Sequence, residues 1–237
     1  MTGLRQLFCR LAIALPLLGA GLPAQADGPV VVELFTSQGC SSCPPADAML
    51  GDLADRRDVI ALSLHVDYWD YIGWEDTFAD ASFTRRQHQY ARVAGSTVVY
   101  TPQMVIGGVD HVVGVRPMET VDLIMAHSAL PDPVRVTVER QGGSFVVTAS
   151  RAGQIPRGGV DVQLIGYSPR ERVEIGRGEN ANRTIDYHNV VVSMQQIADW
   201  DGRGGFNSRI TPGDAPAYVV IFQASDQGAI LGAARLQ

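Results

Sequence analysis

The chain has no lysine: each of its 19 basic residues is an arginine, and they nowhere gather into a basic run. With 25 acidic residues the formal net charge is −6. That balance argues against nucleic acid as a main partner, because phosphate binding needs a dense positive face. No apolar run reaches the roughly 20 residues that a membrane-spanning helix requires. Cysteine is sparse, three in 237 residues. Neither a second Cys-x-x-Cys nor a paired-histidine motif accompanies Cys40 and Cys43, so a four-ligand zinc centre lacks half its motif. Internal repeats and low-complexity segments are absent. What remains is globular material, 46% hydrophobic and 19% charged, too apolar for a disordered chain.

Residues 1–26 read as a secretory signal. Arg5 and Arg10 form a positive n-region, Leu11 to Leu22 an apolar stretch broken by Pro16, and Ala24-Gln25-Ala26 a small-residue cleavage site. Cleavage near Ala26 takes two arginines and Cys9 with it, so the net charge becomes −8 and Cys40 and Cys43 remain as an even pair. The predicted destination is the periplasm or the extracellular space, where disulfides persist. The mature chain is expected to have no membrane span.

Val30 to Phe35 reads as a buried strand, Ala46 to Arg57 as a helix, Val59 to Val66 as a second strand and Ser82 to Ala94 as a second helix. A strand beginning at Val98 meets Thr101-Pro102, turns at Gly107-Gly108 and returns to Gly114. Pro117 then opens a helix to about Leu130. Strands alternating with helices predict an α/β domain over residues 27–130. Past Pro131-Asp132-Pro133 helical periodicity stops. Seven strand-like runs, at 134–139, 144–149, 160–167, 171–177, 185–194, 217–223 and 229–235, predict an all-β sandwich-like domain over 131–237.

Cys40 and Cys43 stand three apart at a helix entry, where residues i and i+3 face the same way and the sulfurs can meet. The helix dipole favours a thiolate at Cys40, making it the attacking sulfur, and Cys43 one turn deeper the resolving one. Pro44 and Pro45 predict a distorted first turn, with regular helix from about Pro45. A purely structural disulfide is the competing reading, although a four-residue ring stabilises by only about 2 kcal/mol against about 3 for a 15-residue ring. A metal half-site is the third. Glu33, a carboxylate inside an apolar strand, suits relay of the Cys43 proton if burial raises its pKa; a partly exposed strand-end acid is the alternative. His65 and Asp67 end a strand, where ligand groups of open α/β sheets gather. Tyr68, Trp69, Tyr71 and Trp74 either line a groove for peptide or pack a long loop.

The order strand, CxxC, helix, strand, helix, Thr-Pro, hairpin, helix resembles a thioredoxin fold. The segments Val32-Glu33-Leu34-Phe35-Thr36-Ser37-Gln38-Gly39-Cys40-Ser41-Ser42-Cys43-Pro44-Pro45 and His65-Val66-Asp67-Tyr68-Trp69-Asp70 are similar to an exported bacterial family of thioredoxin-like domains without assigned function. Thr184 to Val192 resembles its C-terminal portion. The resemblance implies Cys40 as nucleophile, Cys43 as resolving thiol and Pro102 as a cis-proline whose loop, with Thr101, binds an extended substrate. Ser41-Ser42 departs from the dipeptides of well-known redox members, so no potential is carried over, and Glu33 fits the fold's buried acid only with a one-residue shift.

The expectation is therefore an α/β thioredoxin-like domain followed by an all-β sandwich-like domain, acting as an exported thiol–disulfide oxidoreductase. Its catalytic residues would be Cys40, Cys43 and Glu33, its substrate-binding residues Thr101, Pro102, Trp69 and Trp74. It needs no cofactor, and its partners are a protein or small-molecule disulfide or thiol, with a membrane redox protein as a further candidate. Two alternatives stay open: a periplasmic soft-metal protein holding copper through Cys40, Cys43 and His65, and a non-catalytic binding protein on a thioredoxin scaffold.

Overall fold

The computed structural model describes residues 28–237, so the expected leader lies outside the described residues. β1 (Val30–Thr36) is buried along its whole length, as a strand covered on both faces must be. Val30, Val32 and Leu34 pack with Leu50 and Leu53 of α1 (Pro44–Ala54) and Ile124 of α3 (Pro117–Ser128). Val31 and Phe35 point the other way, toward Phe83 and Tyr90 of α2 (Ala81–Val93). β2 (Val59–His65) runs parallel to β1, with Thr36 opposite His65. β3 (Gln103–Ile106) is antiparallel on the other side of β1. It returns as β4 (Asp110–Val113) through Gly107 and Gly108, whose φ values of 59° and 77° suit a two-residue hairpin.

The remaining strands are β5 (Val134–Gln141), β6 (Ser144–Arg151), β7 (Val160–Ile175), β8 (Arg183–Trp200), β9 (Phe206–Ile210), β10 (Ala217–Ala224) and β11 (Ile230–Leu236). They overturn the expected α/β thioredoxin-like domain followed by a separate sandwich. Strand accounts for 44% of the described residues and helix for 19%. One mixed eight-stranded sheet, β11-β10-β7-β8-β2-β1-β3-β4, runs through both halves of the chain. Only β5, β6 and β9 form a second sheet. Val134, Phe145 and Val147 from it pack against Val162, Trp200 and Phe222 of the large sheet.

The physical reason is the free edge of β2, which β8 occupies in parallel at Ser63↔Val190. Next to that bridge Asn189 adopts φ 49° and its side-chain amide donates to the Ala61 carbonyl at 2.8 Å. Asparagine enters this left-handed region more readily than most residues, and here the bond to Ala61 holds it there. The same irregularity explains why β7 passes through Ser168-Pro169, where a break was expected. The ladder pairs Ser168 with Val190 and Arg170 with His188, so Pro169 falls opposite Asn189, where no ladder bond is missed. Val98 to Tyr100, expected to begin a strand, is irregular, and β9 was not anticipated.

On the α2 face a buried ion pair joins the halves. Arg86 donates to both oxygens of Glu33, at 2.6 and 3.0 Å, and also to Tyr90 Oη, Gln163 Oε1 of β7 and Gln223 Oε1 of β10. Removing one partner of such a pair strands the other charge. Arg86→Met is expected to lower unfolding free energy by about 3–5 kcal/mol, measured by urea denaturation. A loss under about 1 kcal/mol would show the network to be dispensable.

Candidate functional site

Leaving β1, the chain makes two tight turns: the Cys40 amide donates to the Ser37 carbonyl (3.1 Å) and the Cys43 amide to that of Cys40 (3.2 Å). Cys43 caps α1 in helical geometry, φ −79° and ψ −35°, and its carbonyl accepts from the amides of Ala46 and Asp47. The distortion expected at Pro44 is thus slight. Pro44 takes the first helical position, where a missing N–H costs nothing. Cys40 and Cys43 form a disulfide with their Cα atoms 5.4 Å apart. Cys40 is 1% exposed and Cys43 fully buried, while Ser41 and Ser42 between them face solvent.

Three elements hold this loop. Gln38 donates its amide to Asp76 Oδ2 (2.7 Å) and accepts from Trp74 Nε1 (2.8 Å). Trp69 packs on Gly39 and donates through Nε1 to Thr101 Oγ1 at 2.7 Å, and the Thr101–Pro102 bond is cis. Asn180, from the turn between β7 and β8, donates to the carbonyl oxygens of both Gln38 and Cys40 at 2.9 Å. The second half of the chain therefore grips the CxxC loop directly.

Beneath the first turn of α1 lies a cluster of polar side chains. Asp47 is buried and accepts from Thr36 Oγ1 at 2.8 Å. Burial pushes its carboxyl up to about 7, against the attraction of His65 and the Thr36 bond. His65 Nδ1 is 2.7 Å from Asp76 Oδ2. Its ring stands edge-on to Phe78 and Tyr187, with centroids 5.3 and 4.9 Å away. Burial, then the nearby Asp47 and Asp76, push the Tyr187 phenol well above its ordinary range. Beside Pro44 a groove of about 590 Å³ opens between α1 and β8, lined also by Asp52, Asp55, Arg183 and His188.

The structure places Glu33 away from this cluster. Its side chain lies on the α2 face of β1, paired with Arg86, whereas α1 covers the opposite face. The acid that accompanies the cysteines is Asp47, one helical turn after Cys43. Trp69 and Trp74 support the CxxC loop, Tyr68 bonds Gln87, and Tyr71 is 82% exposed, so the four aromatics do not share one groove. Asp67 bonds Thr84. Cys40, Cys43 and His65 do not assemble a metal set: among the described residues no group of three or more His, Cys, Asp or Glu is arranged to hold an ion. Sequence reasoning missed Asp47, Asp76, Asn180 and Tyr187. Of these only Asp47 had a local signal, its i+4 spacing from Cys43.

A model of the family described as "Protein of unknown function (DUF1223)" matches residues 31–223. The crystal structure of a protein from Agrobacterium tumefaciens, a structural genomics target, is similar at 32% identity and TM-score 0.75, covering 90% of this chain and 96% of that one. HBP35 of Porphyromonas gingivalis is similar in fold alone: 11% identity, TM-score 0.61, 89% of this chain and 75% of that one. No curated protein matches the chain.

Because the folded state holds the Asp47 proton more tightly than the unfolded chain, its contribution to stability is present at acid pH. It is lost as pH rises from about 4 through about 7. Compared with Asp47→Asn, the wild type should lose ~4 kcal/mol across that window, measured by denaturation at each pH. Parallel pH profiles for the two proteins would show that folding leaves the Asp47 pKa where it is in the unfolded chain.

Proposed function

As this chain belongs to the DUF1223 family, proteins of unknown function, we propose that it is an exported thiol–disulfide oxidoreductase working through Cys40 and Cys43. The observation that carries this reading is the disulfide at the head of α1. Its three-residue spacing ties no distant segments together, and it lies at the positive end of a helix, where a thiolate is favoured. The chemistry is thiol–disulfide exchange. Cys40 thiolate attacks a substrate disulfide, one substrate sulfur leaves as thiolate, and a mixed disulfide forms. Cys43 then attacks Cys40 Sγ, the mixed bond breaks, and the second substrate sulfur leaves with its electron pair. Two electrons pass from the dithiol to the substrate, and the reverse sequence oxidises a substrate dithiol.

The Thr101–Pro102 loop, tied to Trp69, suits an extended substrate segment in this reading. The leader-like residues 1–26 support a periplasmic or secreted location. No helix among the described residues is long and apolar enough to cross a membrane. Burial of both sulfurs favours a second reading, a binding protein with an inert disulfide.

Titration in glutathione buffers, followed by alkylation and mass, separates the two. The oxidoreductase gives a reversible couple between roughly −120 and −270 mV, the span of known exchange proteins. Cys40→Ser loses exchange, whereas Cys43→Ser stalls as a mixed disulfide with glutathione. A disulfide that resists reduction well below that span would leave the binding protein.

A further inference from the structure

Residues 176–182 form the turn between β7 and β8, and Asn180 is the one buried residue among them, 1% exposed. Its two amide hydrogens go to the carbonyls of Gln38 and Cys40, both at 2.9 Å, and its amide oxygen accepts from Arg183 Nη1 at 3.1 Å. The turn is shaped for this insertion. The Asn182 amide donates to the Ile175 carbonyl at 2.8 Å, and Gly178 and Asn182 take φ values of 77° and 64°. Gly178 lies so close to Trp74 that an added Cβ would stand 3.2 Å from the Trp74 Cβ. Cys40, itself 1% exposed, is therefore enclosed between this turn, which holds its carbonyl, and Ser42, whose Oγ stands 3.4 Å from its sulfur.

We propose that this turn, pinned by Asn180, opens the site to low-molecular-weight disulfides and closes it to the disulfides of folded proteins, with Asn180 as the specificity-determining residue. The assignment rests on the oxidoreductase reading above and names its substrate class. Exchange requires the attacking sulfur in line with the S–S bond that breaks. Ser42 is exposed, and a side chain of that kind changes rotamer within picoseconds to nanoseconds, which uncovers Cys40 Sγ to a small molecule. A disulfide in a folded protein brings backbone on both sides, and that bulk meets the exposed residues 176–179. To admit it the turn has to lift, which breaks both Asn180 bonds at once and leaves two carbonyls without their donor. Two ordinary hydrogen bonds hold such an opening to about one molecule in ten to one in a hundred.

The exchange balances without a further reactant. Cys40 thiolate attacks one sulfur of the small disulfide, that S–S bond breaks, and the first half leaves as thiolate. Cys43 gives up its proton and attacks Cys40 Sγ, and the second half leaves with the electron pair of the mixed bond. Each departing thiolate takes up one of the two protons the dithiol released. One dithiol and one small disulfide become one protein disulfide and two small thiols.

The test sets the reduced protein against two oxidants, glutathione disulfide and insulin, whose disulfides lie within a folded protein. Glutathione disulfide is expected to react readily and insulin at least about tenfold more slowly. Asn180→Ala, and Asn180→Asp, which keeps the size and loses both donors, raise the insulin rate about tenfold to a hundredfold. They leave the glutathione rate and the equilibrium constant with glutathione within about threefold. Equal acceleration of both reactions, or a changed equilibrium constant with an unchanged ratio of rates, overturns the inference. A second measurement needs no substitution at Asn180 and no redox activity: labelling of Cys40 in Cys43→Ser by N-ethylmaleimide and by the same maleimide on a long polyethylene glycol. The small reagent is expected to react and the large one to be excluded. Equal labelling beside a reversible disulfide overturns the size selection alone. Size-selective labelling beside an irreducible disulfide upholds the cover over Cys40 and overturns the oxidoreductase reading, and the substrate class with it.

Discussion

β2 is a strand with both faces buried, and its outer edge has to be paired inside the protein. Much of the molecule follows from how that edge is met. One parallel bridge, Ser63 to Val190, and one side-chain bond, Asn189 to Ala61, seat β8 against it. Once β8 is there, Tyr187 reaches His65, His188 lies against Gly51 of α1, and the turn at Asn180 reaches the carbonyls of Gln38 and Cys40. The opposite face of the sheet has its own tie, in which Arg86 bridges Glu33 to Gln163 and Gln223. The first 100 residues of the described chain and the last 100 are held together from both sides of one sheet. The CxxC loop lies where the α1 side of that seam meets the ends of β1 and β2.

The strands and helices of the first half were legible because their signals are local. Apolar runs of seven residues, Pro at helix starts and Gly107-Gly108 each act within a few positions of themselves. The architecture was not legible, because it depends on which edge a distant strand takes. The strand-like runs 160–167 and 217–223 look the same whether they close a sandwich or extend an existing sheet. The decisive residue, Asn189, carries an ordinary turn signature in sequence. Pro169 misled for a related reason: a missing donor breaks a strand only where the ladder would have used it, and here it falls opposite Asn189, a position the ladder leaves unpaired.

The site divides along the same line. Cys40 and Cys43 were evident from spacing alone. Glu33 attracted attention as the only charge in an apolar strand, a sound inference about burial but not about direction. A strand residue points to one face or the other, and a shift of one position exchanges them. Glu33 falls on the α2 side and finds Arg86, while Thr36, three residues on, falls on the α1 side and bonds Asp47. His65 was recognised, but its partner Asp76 lies eleven residues away across an irregular loop. Tyr187 and Asn180 arrive from more than a hundred residues further on, beyond the reach of any spacing argument.

Burial of the disulfide and burial of its polar neighbours are two sides of one arrangement. A loop whose carbonyls are held by Asn180 and whose amide is held by Asp76 is restrained by bonds that do not involve the sulfurs. On the proposed oxidoreductase reading, these bonds limit reorganisation when the S–S bond breaks, and the change is mainly one of charge. In an interior of low effective dielectric, a new thiolate acts strongly on the nearest titratable groups. Those groups are Asp47, whose carboxyl already sits close to half-protonated near neutral pH, and the His65–Asp76 pair behind it. The enclosure that limits access to Cys40 also makes its charge felt by Asp47. The turn at Asn180, contributed by the second half of the chain, serves both ends, since the bonds that cover the loop are the ones that fix its geometry.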